Sequence, residues 1–247
     1  MTDRASTIGG PGGDFPVTSW GMVLNLQRST SEERSRALET LCRRYWKPVV
    51  IFARRAWSKS IEDAKDLAQA FFLDMIDGEA LSRYSPERGG FRTYLKMLLR
   101  RFEADQHDAA RALKRGGRTR TLTLDDSAAP LKEFVADASA STPEDLFDQE
   151  WKKQVLERAI DRTKRFFADA GRGRQFEVFE AYDLSSDGKA TYGQIGERLG
   201  LKETVVRNYL FEVRERLRGE IRAELSQTVA SLDQLEEEWT ALFGGKR

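Results

Sequence analysis

The sequence contains one cysteine and one histidine, Cys42 and His107. A single cysteine cannot form an internal disulfide, and one cysteine with one histidine is too few for a zinc finger or a Cys-His metal cluster. No stretch approaches the roughly 20 apolar residues of a membrane span, and the Gly/Pro-rich start lacks the basic-then-apolar order of a signal peptide. We therefore expect a cytoplasmic protein that has no membrane partner and binds no metal.

Patterns typical of catalysis are also missing. The sequence shows no carboxylate cluster with metal-ligand spacing, no glycine loop that could cradle a phosphate and no nucleophile with a plausible base. We therefore expect that the chain is not an enzyme, that it has no catalytic residue and that it needs no cofactor.

The formal net charge of +1 hides a segregation of sign along the chain. Residues 92–120 hold nine lysines and arginines against three acids, whereas residues 125–150 hold eight acids against one lysine. A basic segment suits contact with nucleic-acid phosphates. The sequence therefore places a candidate nucleic-acid surface next to an acidic segment.

Apolar residues recur at helical spacing along most of the chain, and no convincing alternating strand pattern occurs. One helical series follows a capping-box pattern at residues 30–33, a second begins at Ile61 and a third begins at Phe91. Residues 116–142 have no sustained period, and Pro143 suits the first position of a new helix. The sequence predicts an all-α fold in which a flexible acidic linker joins two helical domains, the second of which carries a helix-turn-helix.

These patterns divide the chain into five segments. They are a disordered tail at 1–14, a first domain at 15–115, the linker at 116–142, a second domain at 143–222 and a C-terminal helical extension at 223–247. In the extension, Leu232, Leu235, Trp239 and Leu242 have helical spacing. This extra helix would either pack against a domain or offer a docking surface to a regulator.

The strongest local pattern lies at residues 191–217. Apolar positions suit a short helix up to Leu199, Gly200 permits a tight turn, and a second apolar series suits the helix that follows. The pattern predicts a helix-turn-helix, although an ordinary helical hairpin whose glycine is a C-cap would give the same pattern. The candidate duplex-DNA contacts are Lys202, Thr204, Arg207, Asn208, Phe211 and Arg214. Glutamates on the second helix lower its positive charge, so we expect this module alone to bind DNA weakly.

A second candidate surface combines cations with aromatic residues. Its members are Phe91, Arg92, Tyr94, Lys96, Arg100, Arg101, Arg111, Lys114 and Arg115. Such a surface can hold phosphates while it stacks unpaired bases, which suits single-stranded DNA. The alternative is a solvated charged face over a core that contains Phe91 and Leu95.

Several of these motifs, taken in order, resemble the extracytoplasmic-function sigma factors, the minimal two-domain class of bacterial sigma factors, and in particular a branch common in planctomycetes. The segments that carry the resemblance are residues 15–20, 41–46, 63–69, 91–95 and 110–117. The resemblance implies an alternative sigma subunit, monomeric when free, that binds core RNA polymerase. It would direct promoter recognition, DNA melting and transcription initiation.

The resemblance also assigns contacts to the segments. The polymerase clamp would be bound by Glu62, Asp63, Asp66 and Gln69. The cationic and aromatic surface from Phe91 to Arg115 would grip the melted minus-ten element of promoter DNA. The second domain would contact the polymerase flap and bind the minus-thirty-five element with the residues from Lys202 to Arg214.

The chain departs from the family pattern at Lys65 and Ala70, where the clamp-binding helix usually has acids. Phosphorylation of Ser58 or Ser60 would add negative charge near the start of that helix, so polymerase binding would be conditional. The alternative is that Lys65 pairs with a neighbouring acid on a solvated face. Regulation stays open between an anti-sigma factor, a Ser/Thr kinase and the C-terminal extension.

A different function class also fits part of the sequence. A one-component transcriptional regulator would use the helix-turn-helix on duplex DNA without being a polymerase subunit, and its first domain would sense a ligand or form dimers. This alternative leaves the cationic and aromatic segment from Phe91 to Arg115 unexplained.

Overall fold

A computed structural model describes residues 31–85, 88–113, 142–185, 190–229 and 231–244. Every regular element in these ranges is helical and none is a strand, which confirms the all-α prediction. The helices are α1 (Ser31–Trp57), α2 (Ile61–Asp77), α3 (Phe91–Leu113), α4 (Pro143–Asp169), α5 (Gly173–Phe179), a short π-helix (Glu180–Leu184), α6 (Tyr192–Leu199), α7 (Glu203–Ser226) and α8 (Leu232–Phe243). The predicted tail at 1–14, and the predicted linker up to residue 141, lie outside the described residues.

Hydroxyl side chains mark the starts of several helices, as helix-capping chemistry requires. Ser60 caps α2 and Ser231 caps α8. At the start of α4, the Thr142 side chain accepts a hydrogen bond from the Asp145 N–H, and the Asp145 carboxylate accepts one from the Thr142 N–H. Pro143 occupies the first turn, where its missing N–H costs nothing. The predicted start of this helix is therefore confirmed.

The first hydrophobic core contains α1, α2, α3, the N-terminal half of α4, the C-terminal half of α7 and α8. Its centre is aromatic. The rings of Tyr45 and Trp151 are stacked with centroids 4.5 Å apart and an interplanar angle of 6°. Phe91 packs edge-on against Tyr45 at 5.6 Å. Because Trp151 belongs to α4, this helix is an integral part of the first core.

The second hydrophobic core lies among the C-terminal half of α4, α5, the π-helix, α6 and the N-terminal half of α7. Phe167 from α4, Phe176 from α5, Ile195 from α6 and Val206 from α7 are all buried in it. This core fixes α6 and α7 relative to each other and so determines which face of α7 meets solvent.

Two long helices take part in both cores. The N-terminal half of α4 contributes Phe147 and Trp151 to the first core, and its C-terminal half contributes Phe167 to the second. α7 runs the other way, with Val206 in the second core and Leu225 in the first. The predicted domain boundary falls just before α4, but the hydrophobic packing crosses that boundary.

The C-terminal extension contains a helix, as its apolar spacing predicts. α8 buries Leu235 and Leu242 in the first core. The half-buried Trp239 ring lies 5.0 Å from the guanidinium of Arg222 on α7. The extension therefore packs against the first core, and a docking surface for a regulator stays a prediction.

A buried ion cluster joins α1, α4 and α7. Glu224 of α7 is fully buried, and its carboxylate accepts a hydrogen bond from Arg158 Nε at 2.6 Å. Arg162 Nη2 lies 3.0 Å from the same carboxylate, and Arg44 Nη2 lies 3.3 Å from it. Burial lowers the pKa of Arg44, so desolvation outweighs the attraction of Glu224 there. One carboxylate thus serves three arginines.

Trp151 provides a test of how α4 is held. We expect Trp151→Ala to destabilise the chain by about 3–5 kcal/mol, because it leaves a cavity between α1 and α4. Unfolding in urea, followed by circular dichroism, measures this loss. Phe211→Ala is the matched control, since that side chain is 66% exposed and belongs to neither core. A loss of less than about 1 kcal/mol for Trp151→Ala would show that α4 does not belong to the first core.

Glu150 is a buried carboxylate of α4 whose Oε2 atom has no hydrogen-bond partner among the described residues. Burial raises its pKa, and the positive charges of Lys153 and Lys47 offset this only in part. The folded state therefore holds this proton more tightly than the unfolded state does. Ionisation of Glu150 therefore lowers the free energy of unfolding. This loss develops as the pH rises from the ordinary pKa of a glutamate to the raised pKa of Glu150 in the folded state.

We expect Glu150→Gln to raise the midpoint of thermal unfolding at neutral pH, because it removes a buried charge. Near about pH 4 the wild-type side chain is already largely protonated in the folded state, so the gain should nearly vanish. Thermal melts at both pH values measure the difference. Glu237→Gln is the control, since Glu237 is an exposed carboxylate of α8. An equal gain at both pH values would contradict the assignment.

Candidate nucleic-acid interface

α6, the turn at Gly200 and α7 form a helix-turn-helix arrangement. Thr191 opens α6 in a capping box with Gln194. Gly200 ends α6 with φ 65° and ψ 36°, in the left-handed region that favours glycine. The Leu201 N–H donates a hydrogen bond to the Gly196 carbonyl at 2.8 Å, which closes the turn. The sequence therefore sets the angle at which α7 leaves the turn.

Gly196 sets how closely α6 approaches the turn. A Cβ atom on Gly196 would lie 2.6 Å from the Leu201 carbonyl oxygen, a distance that real side chains do not adopt. Gly193 in the same helix has room, since its nearest neighbour would be Thr191 Oγ1 at 3.9 Å. The helix-turn-helix pattern in the sequence predicts a role for Gly200 but not for Gly196. The available signal was a glycine inside a short helix, which costs about 1 kcal/mol against alanine and so indicates a packing reason.

One face of α7 points away from the second core. Thr204, Arg207, Asn208 and Phe211 are exposed along it, and Lys202 is exposed at the N-cap. Residues three and four apart on a helix are neighbours, so these side chains form one continuous surface. The structure thus brings together five of the six residues that the sequence predicts to contact duplex DNA.

A groove of about 400 Å³ runs beside this face. Its lining residues are Tyr192, Arg207, Leu210, Phe211, Arg214, Glu215 and Arg218. The Arg207 guanidinium lies over the Tyr192 ring, 5.3 Å from the ring centroid. The groove therefore combines apolar side chains with three arginines.

The arginines of this face are paired with acids. Arg207 Nη2 lies 2.5 Å from Glu203 on the same helix. Arg214, the sixth predicted contact, donates two hydrogen bonds to Asp183 of the π-helix at 2.8 and 2.9 Å. Those hydrogen bonds raise the pKa of Arg214. A phosphate would have to displace a carboxylate to bind Arg214, which agrees with the expectation of weak binding by this module alone.

Of the two aromatic residues of the second predicted surface, one is enclosed and the other is partly enclosed in this arrangement. Phe91 is 1% exposed and packs between Tyr45 and Tyr84. Tyr94 is half-buried, and its hydroxyl donates a hydrogen bond to the Ala80 carbonyl at 2.6 Å. The base-stacking expectation is therefore corrected for Phe91, because the first core encloses its ring. The alternative interpretation of this segment, a charged face over a core that contains Phe91, describes the position of this ring.

Two cations of this surface, Arg92 and Lys96, are paired with acids from other helices. Arg92 Nη1 lies 2.6 Å from Asp148 of α4, and Arg92 Nη2 lies 3.0 Å from Glu238 of α8. Lys96 Nζ lies 2.9 Å from the same Asp148 carboxylate. Burial acts to lower the pKa of Arg92, but the attraction of Glu238 and Asp148 outweighs it, so the pKa is raised. The buried charge of Arg92 is well compensated.

Two more cations of α3 lie nearer to solvent. Arg100 Nη2 is 2.6 Å from Glu144 of α4, and its guanidinium lies 5.3 Å from the Phe52 ring centroid. Arg101 is exposed and lies 3.9 Å from Asp105 of the same helix. Outside the described side chains lie Arg111, Lys114 and Arg115. The acidic partners of these cations were not predicted, since nothing in the sequence pattern gives the register of α4 and α8 on α3.

α2 presents an acidic face. Glu62, Asp63 and Asp66 are exposed on it, and Gln69 is half-buried. Lys65 Nζ lies 3.4 Å from Glu62 Oε1. This contact is the pairing with a neighbouring acid that was the alternative interpretation of Lys65. The three exposed carboxylates are available to a basic partner surface.

Ser58 and Ser60 are exposed just before α2. Ser60 Oγ accepts a hydrogen bond from the Asp63 N–H at 3.1 Å and donates one to the Asp63 carboxylate at 2.7 Å. A phosphate on Ser60 would replace this cap and place its charge beside a carboxylate, which costs free energy by like-charge repulsion. Ser58 has a positive φ of 50°. Phosphorylation stays a prediction, and the geometry at Ser60 weighs against it there.

No protein-family model matches the chain, and no curated protein or solved structure is significantly similar to it. In the ranges that the structure describes, no group of three or more His, Cys, Asp or Glu side chains could hold a metal ion. None of the helices in those ranges combines the length and apolar character needed to cross a bilayer. The surfaces of α2, α3 and α7 are therefore the features of the chain that bear on its function.

The two glycines of α6 provide a matched test of the turn. We expect Gly196→Ala to lower stability and to weaken the duplex-DNA binding that the sequence predicts for α7, because its Cβ would push the backbone at Leu201 away. Gly193→Ala should leave DNA binding unchanged and raise stability by up to about 1 kcal/mol, since alanine is the better helix former. Filter binding and thermal melts measure both effects. If the two variants have the same DNA affinity and the same thermal stability, the short distance between Gly196 and the Leu201 carbonyl does not determine the shape of the interface.

Proposed function

We propose that the chain is an alternative sigma subunit that binds core RNA polymerase and directs it to promoters. The observation that carries the proposal is the helix-turn-helix arrangement of α6 and α7 with Thr204, Asn208 and Phe211 exposed on one face. Polar and apolar side chains at this spacing can contact base edges when a helix lies in the major groove. This face would bind the upstream promoter element.

Two further surfaces support a polymerase subunit over a simple duplex-binding protein. The exposed carboxylates Glu62, Asp63 and Asp66 on α2 suit a basic docking surface such as the polymerase clamp. The solvent-exposed cations Arg100 and Arg101 of α3 suit the phosphates of an opened strand. A protein that only bound duplex DNA would need neither surface.

A one-component regulator is the second candidate, and one observation favours it. Arg92, Lys96 and Arg100 are all paired with carboxylates, which leaves the face of α7 as the more accessible surface for DNA. On this candidate, the α3 cations would be structural ion pairs and the chain would act on duplex DNA alone.

Run-off transcription with purified core RNA polymerase and genomic DNA separates the two candidates. A sigma subunit should give discrete transcripts only when the chain is added to core polymerase. A one-component regulator should give none with core polymerase alone, although it should still shift promoter fragments in a gel. The absence of chain-dependent transcripts would refute the proposal.

Footprinting tests the assignment of the α7 face. We expect Arg207→Ala and Asn208→Ala each to weaken protection of the upstream element by about 1–3 kcal/mol, because each removes a base or phosphate contact. Binding to core polymerase should not change. Arg165→Ala is the matched control, since it removes an exposed arginine of α4 whose Nε donates to the Asp161 carbonyl. Footprints that stay the same in both α7 variants would exclude α7 as the recognition helix.

A further inference from the structure

Three cations form a row along α3. Arg92, Lys96 and Arg100 lie four residues apart, so their charged groups occupy one edge of the helix. Each is paired with a carboxylate from α4 or α8. The charge of this row is therefore neutralised by two other helices and not by acids of α3 itself.

The acids that face this row also have a regular spacing. Glu144 and Asp148 lie one helical turn apart in the first turns of α4, opposite Arg100 and Lys96. A nucleic-acid strand likewise presents single negative charges at regular intervals. The start of α4 therefore offers the cations of α3 the kind of charge pattern that a phosphate backbone would offer.

The exposure of the cations falls along the row. The side-chain exposure is 52% for Arg100, 15% for Lys96 and 8% for Arg92. Exchange of a carboxylate for a phosphate is therefore easiest at Arg100 and hardest at Arg92. Phosphates can therefore compete with Glu144 and Asp148 at the start of α4. The ion pair between Arg92 and Glu238 of α8 is enclosed.

Glu238 of α8 closes the inner end of the row. Its Oε2 atom accepts a hydrogen bond from Arg92 Nε at 3.0 Å. Its Oε1 atom lies so close to the backbone of Gly90 that a Cβ there would be only 2.9 Å away. The pKa of Tyr84 is raised to about 12 by burial and then by the charge of Glu238. The carboxylate of α8 is thus seated against the first turn of α3.

We infer that Glu144, Asp148 and Glu238 form an acidic mask over the cations of α3, and that the described arrangement is a closed state in which single-stranded DNA cannot use those cations. This inference rests on the proposed function, because it concerns regulation of the surface assigned to the opened strand. When phosphates replace the mask, each cation keeps an anionic partner, and the displaced carboxylates, above all the buried Glu238, have to move into solvent so that they are not left unpaired.

Neutralising the mask in the full-length chain tests the inference. The mask variant carries Glu144→Gln, Asp148→Asn and Glu238→Gln, which keeps the shape of each side chain. Binding to a fluorescently labelled thymidine 20-mer is measured by anisotropy at several salt concentrations. We expect the mask variant to bind at least about tenfold more tightly than wild type at low salt. Its plot of log affinity against log salt should be steeper by about 2, since each phosphate contact to a single strand adds about 0.7.

A matched control separates the mask from a general gain of positive charge. It carries Glu157→Gln, Asp161→Asn and Glu237→Gln, all exposed side chains of α4 and α8. The control changes the net charge by the same amount on the same two helices, but these residues do not face the cation row. We expect its oligonucleotide affinity and salt dependence to stay close to those of wild type.

A single substitution keeps the test valid if the mask variant folds poorly. Asp148→Asn and Glu238→Gln together leave Arg92 buried without a counter-charge, so circular dichroism and thermal melts must accompany the binding data. Glu144→Gln disturbs only the outer pair with Arg100, where both side chains contact solvent. It should make the salt dependence steeper by about 0.7, and adding Arg100→Gln should cancel that change.

The outcomes distinguish the inference from the proposed function. Tighter binding and steeper salt dependence in the mask variant or in Glu144→Gln, without such changes in the control, support the mask. Oligonucleotide binding that is the same in the control and in a folded mask variant overturns it, as does a gain in Glu144→Gln that persists when Arg100→Gln is added. Run-off transcription by the wild-type chain decides the proposed function independently, whatever the oligonucleotide result.

Discussion

The stacked rings of Tyr45 and Trp151 join the two halves of the chain, and the arrangement of the other helices depends on that contact. Because Trp151 lies in the N-terminal half of α4, the stack fixes α4 against α1 in the first core. The first turns of α4 then lie beside α3, which brings the carboxylates of Glu144 and Asp148 to the cation row. The C-terminal half of the same helix supports the second core, on which the face of α7 depends.

The buried Arg92 and the half-buried Arg44 show how differently the chain compensates charge. Arg92 is shared between two carboxylates, and their attraction exceeds the desolvation that opposes it. Arg44 shares the single carboxylate of Glu224 with Arg158 and Arg162, and desolvation there exceeds the attraction. Electrostatics therefore stabilises the contact between α3, α4 and α8. At Arg44, by contrast, burial disfavours the charged form of the side chain.

Local chemistry made much of the fold predictable from the sequence. The helices that begin at Ile61, Phe91 and Pro143 follow from apolar spacing and from capping side chains, and these depend only on neighbours in the chain. The exposed positions on α7 follow from the same periodicity. The partners of the α3 cations could not be predicted, since Arg92 and Glu238 are 146 residues apart in sequence. The burial of Phe91 likewise depends on how α1 and α4 pack, which no local pattern specifies.

Because α4 belongs to both cores, the closed arrangement also sets the strength with which a partner can bind an opened chain. Separating α4 from α1 would expose Phe147, which is fully buried. Burial of one such side chain contributes about 1.5–3 kcal/mol. A partner that binds only the opened chain, and does not itself cover that ring, therefore loses at least roughly ten- to a hundredfold in apparent affinity, and exposure of Trp151 adds to this loss. The buried apolar side chains of α4 thus lower the affinity of such a partner, unless the partner covers them with an apolar surface of its own.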